Sequence, residues 1–220
     1  MSKLIVFDVD GTIVNSWPHY VGKVWEYTKA HSLPNPCLDT FKLGYGYPTE
    51  HDFWPGLPRP DQEFHLYETF RLVDDHDDGD IPGLFTGVID TLKKLKAEGY
   101  TLSVVTSKPY KPLMQILEHH EIHTEFCAYR THDDIKGRSE KGKPEPDQLL
   151  SVITELGFDI SNTVMIGDTC MDIKMANAAN VKSIGVTWGN QPEETLREHK
   201  ATRVLSNSFD EILPAVQAMF

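Results

Sequence analysis

From residue 87 onward, short apolar runs alternate with segments of helical period, and that alternation narrows the architectures open to the chain. Val88, Leu92 and Leu95 mark a helix that should stop at Gly99. A strand over 101–106, a helix over 113–120, a short strand over 126–129 and a helix over 146–156 follow. Pro146 suits a first helical turn, and Gly157 suits a C-terminal cap. Then come a strand over 163–166, a helix over 171–179 closed by Asn180, strands over 182–186 and 203–205, and a last helix from Asp210. Strands separated by helices pair in parallel, so the pattern predicts an α/β fold with helices on both faces of a parallel sheet.

The N-terminus supplies one more strand and the first chemical signal. Leu4-Ile5-Val6-Phe7 reads as a buried strand, and Asp8, Val9 and Asp10 leave its end together before Gly11 lets the chain turn. Two carboxylates facing one cleft stay charged only if a cation neutralises them or one takes a proton. The pair suits a metal-assisted nucleophile beside a general acid/base; alone, it equally suits a solvated turn. Three more polar islands follow in order: Val105-Thr106-Ser107, Lys143-Pro144, and Gly167-Asp168 with Asp172. All four are expected at or just after a strand's C-terminal end, the edge where open α/β sheets bind ligands. Read singly, Lys143 suits a surface lysine, Thr106 a β-branched strand end and Asp168 a helix N-cap. Their convergence on one edge favours a site.

With 220 residues the chain can bury one core, or a main domain plus a smaller insertion. A net charge of −12 argues against a nucleic-acid polymer or an anionic membrane as partner. It leaves room for a small anionic substrate held by a few local cations. Cys37, Cys127 and Cys170 are odd in number and lack metal or redox spacing, so a reducing, cytoplasmic setting is expected. No secretory leader or membrane-length apolar stretch is read. The oligomeric state is not legible.

Between the first island and Gly87 the character changes. Ser16 is expected as a helix N-cap with Pro18 in the first turn, and Val21, Val24, Trp25 and Thr28 recur at helical spacing. Residues 32–60 are rich in Pro, Gly and aromatics, and a helix is expected over 61–73. The acidic run 74–80 does not make a calcium loop, since Phe85 stands where its closing Glu would fall. It reads as a solvated helix end or linker.

Taken together, Asp8–Thr12 (DxDGT), Thr106, Lys143–Asp147 (KPxPD) and Gly167–Asp172 (GDxxxD) resemble the haloacid dehalogenase superfamily, specifically its phosphatases with a helical cap. The resemblance implies a Rossmann-like core over 1–15 and 83–220, with an inserted, mainly α-helical cap over 16–82. It implies Asp8 as nucleophile, Asp10 as general acid and base, and Thr106 and Lys143 as partners of the transferring phosphoryl group. Mg²⁺ would be held by Asp8, the Asp10 carbonyl and Asp168, with Asp172 supporting it. Gly11, Ser107 and Lys108 are further candidate phosphate contacts. The small phosphorylated substrate would be phosphoglycolate-like or a sugar phosphate, with 104–109 and 186–189 resembling the phosphoglycolate-phosphatase-like subgroup.

Some positions depart from the family pattern. Asn15 replaces a common Asp, Ser107 a common Asn and Asn180 a common Gly. Superfamily mutases carry a His where Tyr20 stands, and His19 is one residue early, about 100° away around a helix. A pyrophosphatase, a 5′-nucleotidase, a phosphosugar mutase and a partner-binding protein remain alternatives. Lys42, Arg59 and Arg71 are candidates for a second anionic group or ordinary surface charges. Phe41, Tyr45, Tyr47, Phe53 and Trp54 either stack on a base or, as the favoured reading, pack the cap. Hinges are expected near 15–16 and 81–83.

Overall fold

Leu4, Ile5, Val6 and Phe7 are completely buried and run through the middle of the sheet as β1 (Lys3–Phe7). The computed structural model describes residues 2–44, 52–74 and 79–220. In it, β1 pairs in parallel with β2 (Tyr100–Val105) and β4 (Thr163–Gly167). β3 (Tyr129–Arg130) lies beyond β2, and β5 (Lys182–Val186) and β6 (Arg203–Leu205) lie beyond β4. The order is β3-β2-β1-β4-β5-β6, parallel throughout. A strand covered on both faces has no solvent side, which is why β1 reads as an unbroken apolar run.

Alternation along β1 divides the core into two layers. Ile5 and Phe7 join Leu102, Val104 and Ile166 under α4 (Val88–Ala97), α5 (Tyr110–His119) and α10 (Ile212–Gln217). Leu4 and Val6 face the other way, toward Val105, Met165, α7 (Asp147–Glu155) and α8 (Cys170–Ala178). The α/β architecture is therefore the one predicted.

Several details differ from expectation. The strand expected over 126–129 is displaced to β3, although Cys127 N–H still donates to Leu102 O at 2.8 Å and Ala128 O accepts from Val104 N–H at 3.0 Å. Three short helices, α2 (Leu38–Gly44), α6 (His132–Gly137) and α9 (Glu193–Glu198), are too brief to display a helical period. Ser16 precedes α1 (Trp17–Ala30), but its side chain makes no capping bond, its backbone already being helical (φ −79°, ψ −15°). Tyr45, Tyr47 and the middle of the acidic run, 75–78, lie outside the described residues. Among the described residues no helix is long and apolar enough to cross a membrane.

α1, α2 and α3 (Arg59–Val73) have an apolar core of their own, built on Tyr20, Val24, Phe41, Phe53, Trp54 and Leu66. Buried Gln62 pins it: its Oε1 accepts from the Phe53 and Trp54 amides, and its Nε2 donates to Asp52 and Leu57. The two strands of chain joining this layer to the sheet run side by side. Asn15 N–H donates to Gly83 O at 2.8 Å, and Phe85 N–H donates to Ile13 O at 3.0 Å.

Candidate active site

Three of the four polar islands emerge where strands end. Asp8 continues the β1 ladder by one bond, its N–H donating to Ile166 O at 2.8 Å. Gly11 then turns the chain with φ +76°, a conformation costly for other residues. Thr106 follows β2, and its Oγ1 accepts from the Lys108 N–H at 3.2 Å. Asp168 follows β4. Lys143 departs from the expectation: it sits in the loop between α6 and α7 rather than at a strand end, and its long side chain reaches back to the edge. Its Nζ lies 2.5 Å from Asp8 Oδ1 and 2.6 Å from Asp172 Oδ1.

The N-cap of α8 is Thr169, not Asp168. Asp172 Oδ2 completes a capping box, accepting from Thr169 N–H at 3.0 Å and Thr169 Oγ1 at 2.7 Å. That leaves Asp168 for other work. Its Oδ2 accepts from Asn190 N–H (2.8 Å) and Asn190 Nδ2 (2.9 Å), while Thr12 Oγ1 reaches Oδ1 at 3.4 Å.

Asp8, Asp168 and Asp172 are buried, with one carboxylate oxygen from each within 4.8 Å of the others. Burial pushes Asp8 up to about 7, Lys143 pulling it down while Asp172 and Asp10 push it further up. Burial, then the charges of Asp8 and Asp172, holds Asp168 well above the ordinary carboxylate range. Burial works against the charge on Lys143, but Asp172 and Asp8 outweigh it and raise its proton affinity. One ammonium cannot balance three carboxylates, so the cluster favours a further cation. Hard oxygen donors suit Mg²⁺. The backbone leaves space for the acids: a Cβ on Gly11 would fall 2.1 Å from Asp168 Oδ2, and one on Gly189 2.3 Å from the same atom. The residues present therefore fit a magnesium ion.

Above this cluster opens a cavity of about 550 Å³. Asp8, Asp10, Thr106, Ser107, Lys108 and Lys143 line its floor. Lys108 is buried, its Nζ 3.2 Å from Asp10 Oδ2 and 2.5 Å from Asp74 Oδ1 at the end of α3. Burial opposes its charge, and Asp10 with Asp74 more than restores it. Asp10 Oδ1 is buried with no hydrogen-bond partner among the described residues. Gly11 is not brought to the cavity; its N–H donates to Val14 O within the turn.

Of the cationic candidates on the helical layer, Arg71 lines the cavity and Lys42 and Arg59 do not. Phe41, Phe53 and Trp54 are buried in their own core, which is the favoured reading of those aromatics. Among the described residues, the tyrosine and phenylalanine rings at the cavity are instead Tyr67 and Phe70. Tyr67, Phe70, Arg71 and Asp74 fall at i, i+3, i+4 and i+7, so that spacing was a readable signal of a common face. Asn190 and His132 carried no comparable signal.

The family of haloacid dehalogenase-like hydrolases matches residues 5–186. A Dickeya dadantii protein named "Probable phosphatase IndB" is 30% identical over 100% of this chain and 95% of its own length. "Pyrophosphatase PpaX" of Bacillus pumilus is 30% identical, covering 94% of this chain and 93% of its own. A crystal structure described as a predicted phosphoglycolate phosphatase from Haemophilus somnus superposes with a TM-score of 0.77 at 24% identity, covering 97% of each chain. The chain belongs to the haloacid dehalogenase-like hydrolase family.

Proposed function

We propose that this hydrolase is a Mg²⁺-dependent phosphatase that dephosphorylates a small phosphorylated metabolite through an aspartyl-phosphate on Asp8. The carrying observation is the floor of the cavity, where Asp8 and Asp10 lie side by side and each has a buried lysine within 3.2 Å. An Asp8 oxygen forms a bond to phosphorus as the ester P–O bond breaks, and Asp10 gives its proton to the departing oxygen. Asp10 then takes a proton from water as the water oxygen bonds to phosphorus and the Asp8 O–P bond breaks, which frees phosphate and restores the Asp8 carboxylate. Its unpartnered Oδ1 is the atom available for both transfers. Thr106, Ser107, Lys108 and Lys143 are donors for the phosphoryl oxygens, where charge accumulates in transfer. Asp8, Asp168 and Asp172, with the Asp10 carbonyl, would hold Mg²⁺, which supplies neutralising charge to the phosphoryl oxygens.

The same proposal takes residues 16–82 as a cap over a core of 1–15 and 83–220, hinged where Asn15 and Gly83 meet. A mutase is disfavoured, because Tyr20 is buried in the helical layer and His19 is engaged by Asp80 (3.0 Å) and Val73 O (3.2 Å). A cytoplasmic location rests on three free cysteines. The relatives' names put pyrophosphate and phosphoglycolate among the compounds to be tested, beside sugar phosphates. Phosphate release should require Mg²⁺ and stop with EDTA, and Mg²⁺ should raise the melting temperature. Asp8→Asn should retain the far-UV spectrum and lose turnover; an active Asp8→Asn enzyme refutes the nucleophile assignment.

A further inference from the structure

The cavity's two ends differ in the charge they have left to offer. Lys143 is shared between Asp8 and Asp172, and Lys108 between Asp10 and Asp74. Among the described residues the remaining lysine or arginine of the lining, Arg71, is two-thirds exposed and pairs with Glu68 at 3.0 Å, and His132 is the one lining imidazole. A second anionic group beside the phosphate would therefore meet lysines already balanced by carboxylates, and Asp74 itself.

The wall away from the floor is of another kind. Tyr67, Phe70 and Val73 from α3, with Pro109 and Met171 from the sheet side, line it, and Arg71, beside Phe70 on α3, is its one charged member above Asp74 among the described residues. α3 turns Gln62, Leu66, Thr69 and Val73 into the helical core, and Phe70 stacks on Tyr20 there with ring centroids 5.7 Å apart, so Phe70 and Val73 reach the cavity from that core while Tyr67 stands out from it. Tyr67 is 68% exposed, so nothing in the fold requires an aromatic ring at that place. An apolar wall with a few fixed polar groups at one end is the usual form of a site for an organic ligand. A two-carbon phosphorylated acid would fill only on the order of a quarter of such a cavity.

We propose that the preferred substrate is a phosphate monoester whose alcohol carries a flat, uncharged ring of nucleobase size, held along Tyr67 and Phe70, and that small phosphates bearing a second acidic group are poor substrates. This rests on the phosphatase reading and narrows it. Uridine 5′-monophosphate and ribose 5-phosphate form the matched test, sharing a primary-alcohol leaving group and differing in the ring. The nucleotide should exceed the sugar phosphate in kcat/KM by roughly tenfold, a factor typical of one good ring contact. It should exceed phosphoglycolate by more. Tyr67→Ala should bring the nucleotide-to-sugar ratio close to one, mainly through KM, and Phe70→Leu should lower it. Phe64→Ala, an exposed ring on α3 that does not line the cavity, should leave the ratio as it was.

Phosphoglycolate as the best substrate, or a ratio indifferent to both Tyr67 and Phe70 substitutions, overturns the inference while leaving the phosphatase intact. If no phosphate is released from any compound, the phosphatase reading falls instead. Calorimetry of uridine 5′-monophosphate with Asp8→Asn protein in Mg²⁺ then decides the ring site. Binding weakened by Tyr67→Ala supports it, and binding absent or unchanged rejects it.

Discussion

Lys143 and Lys108 are the same device used twice, with different anchorage. Both side chains are almost fully buried, and both ammonium groups sit between two carboxylates. The partners of Lys143, Asp8 and Asp172, belong to the sheet edge and the helix beside it. Those of Lys108 are divided: Asp10 belongs to the sheet edge, and Asp74 ends a helix of the other layer. The first arrangement fixes Asp8, the proposed nucleophile, within one packed body. The second makes the setting of Asp10, the proposed acid, depend on where the helical layer sits. Lys143→Ala should therefore lower turnover by about 10³-fold or more, the scale of removing a charged donor from a transferring group. Lys108→Ala should cost roughly 10–100-fold. Equal losses in kcat, measured at saturating Mg²⁺, would erase the distinction.

The acid cluster around Lys143 should also be visible in stability. Asp8 rises from 3.8 to about 7 on folding, and Asp168 moves the same way. The native state then holds more protons than the unfolded chain between about pH 4 and 7, so metal-free stability falls as pH rises through that window. Lys143, raised above its ordinary value, stays charged throughout and adds no slope there. In EDTA the melting temperature should drop by roughly 5 °C or more between pH 5 and 7.5. Saturating Mg²⁺ should remove most of the drop. A flat profile in EDTA, or a rising one, would mean that the three carboxylates are not the strained centre.

The sheet was legible because its strands are buried on both faces: runs such as Leu4–Phe7 and 163–166 tolerate little else. Asp8, Asp10, Thr106 and Asp168 could be placed because a strand end brings its next residues to one edge, whatever the details of packing. Lys143 was placed at that edge for the wrong local reason, since a lysine can span from a loop what a short residue must reach from a strand. The short helices α2, α6 and α9 lie below the length at which period shows. Tyr67 and Phe70 were passed over for Phe41, Phe53 and Trp54, because an aromatic-rich stretch advertises hydrophobicity but not which side of a layer it fills. Asn190, whose backbone and side chain both hold Asp168, belongs to a loop after β5 with no repeating pattern to expose it. Contacts of that sort depend on tertiary placement alone.

The finest separation of the two lysines comes from Asp74, which pairs with Lys108 and, among the described residues, not with Lys143. Asp74→Asn keeps the shape and a hydrogen-bonding oxygen but removes one of the two charges on Lys108. Asp10 then holds the ammonium alone, and the end of α3 loses its charged tie to the sheet edge. Catalysis should weaken by a few-fold, about 2- to 5-fold in kcat/KM, as expected for one partly exposed member of a network. The Lys143 side should not respond, so the Mg²⁺-induced rise in melting temperature should stay within error of wild type. Since Asp74 acts through Lys108, the substitution should add nothing once Lys108→Ala is in place. Additive losses in that double-mutant cycle would show that Asp74 works on the substrate directly, and that the two lysines differ in less than their anchorage.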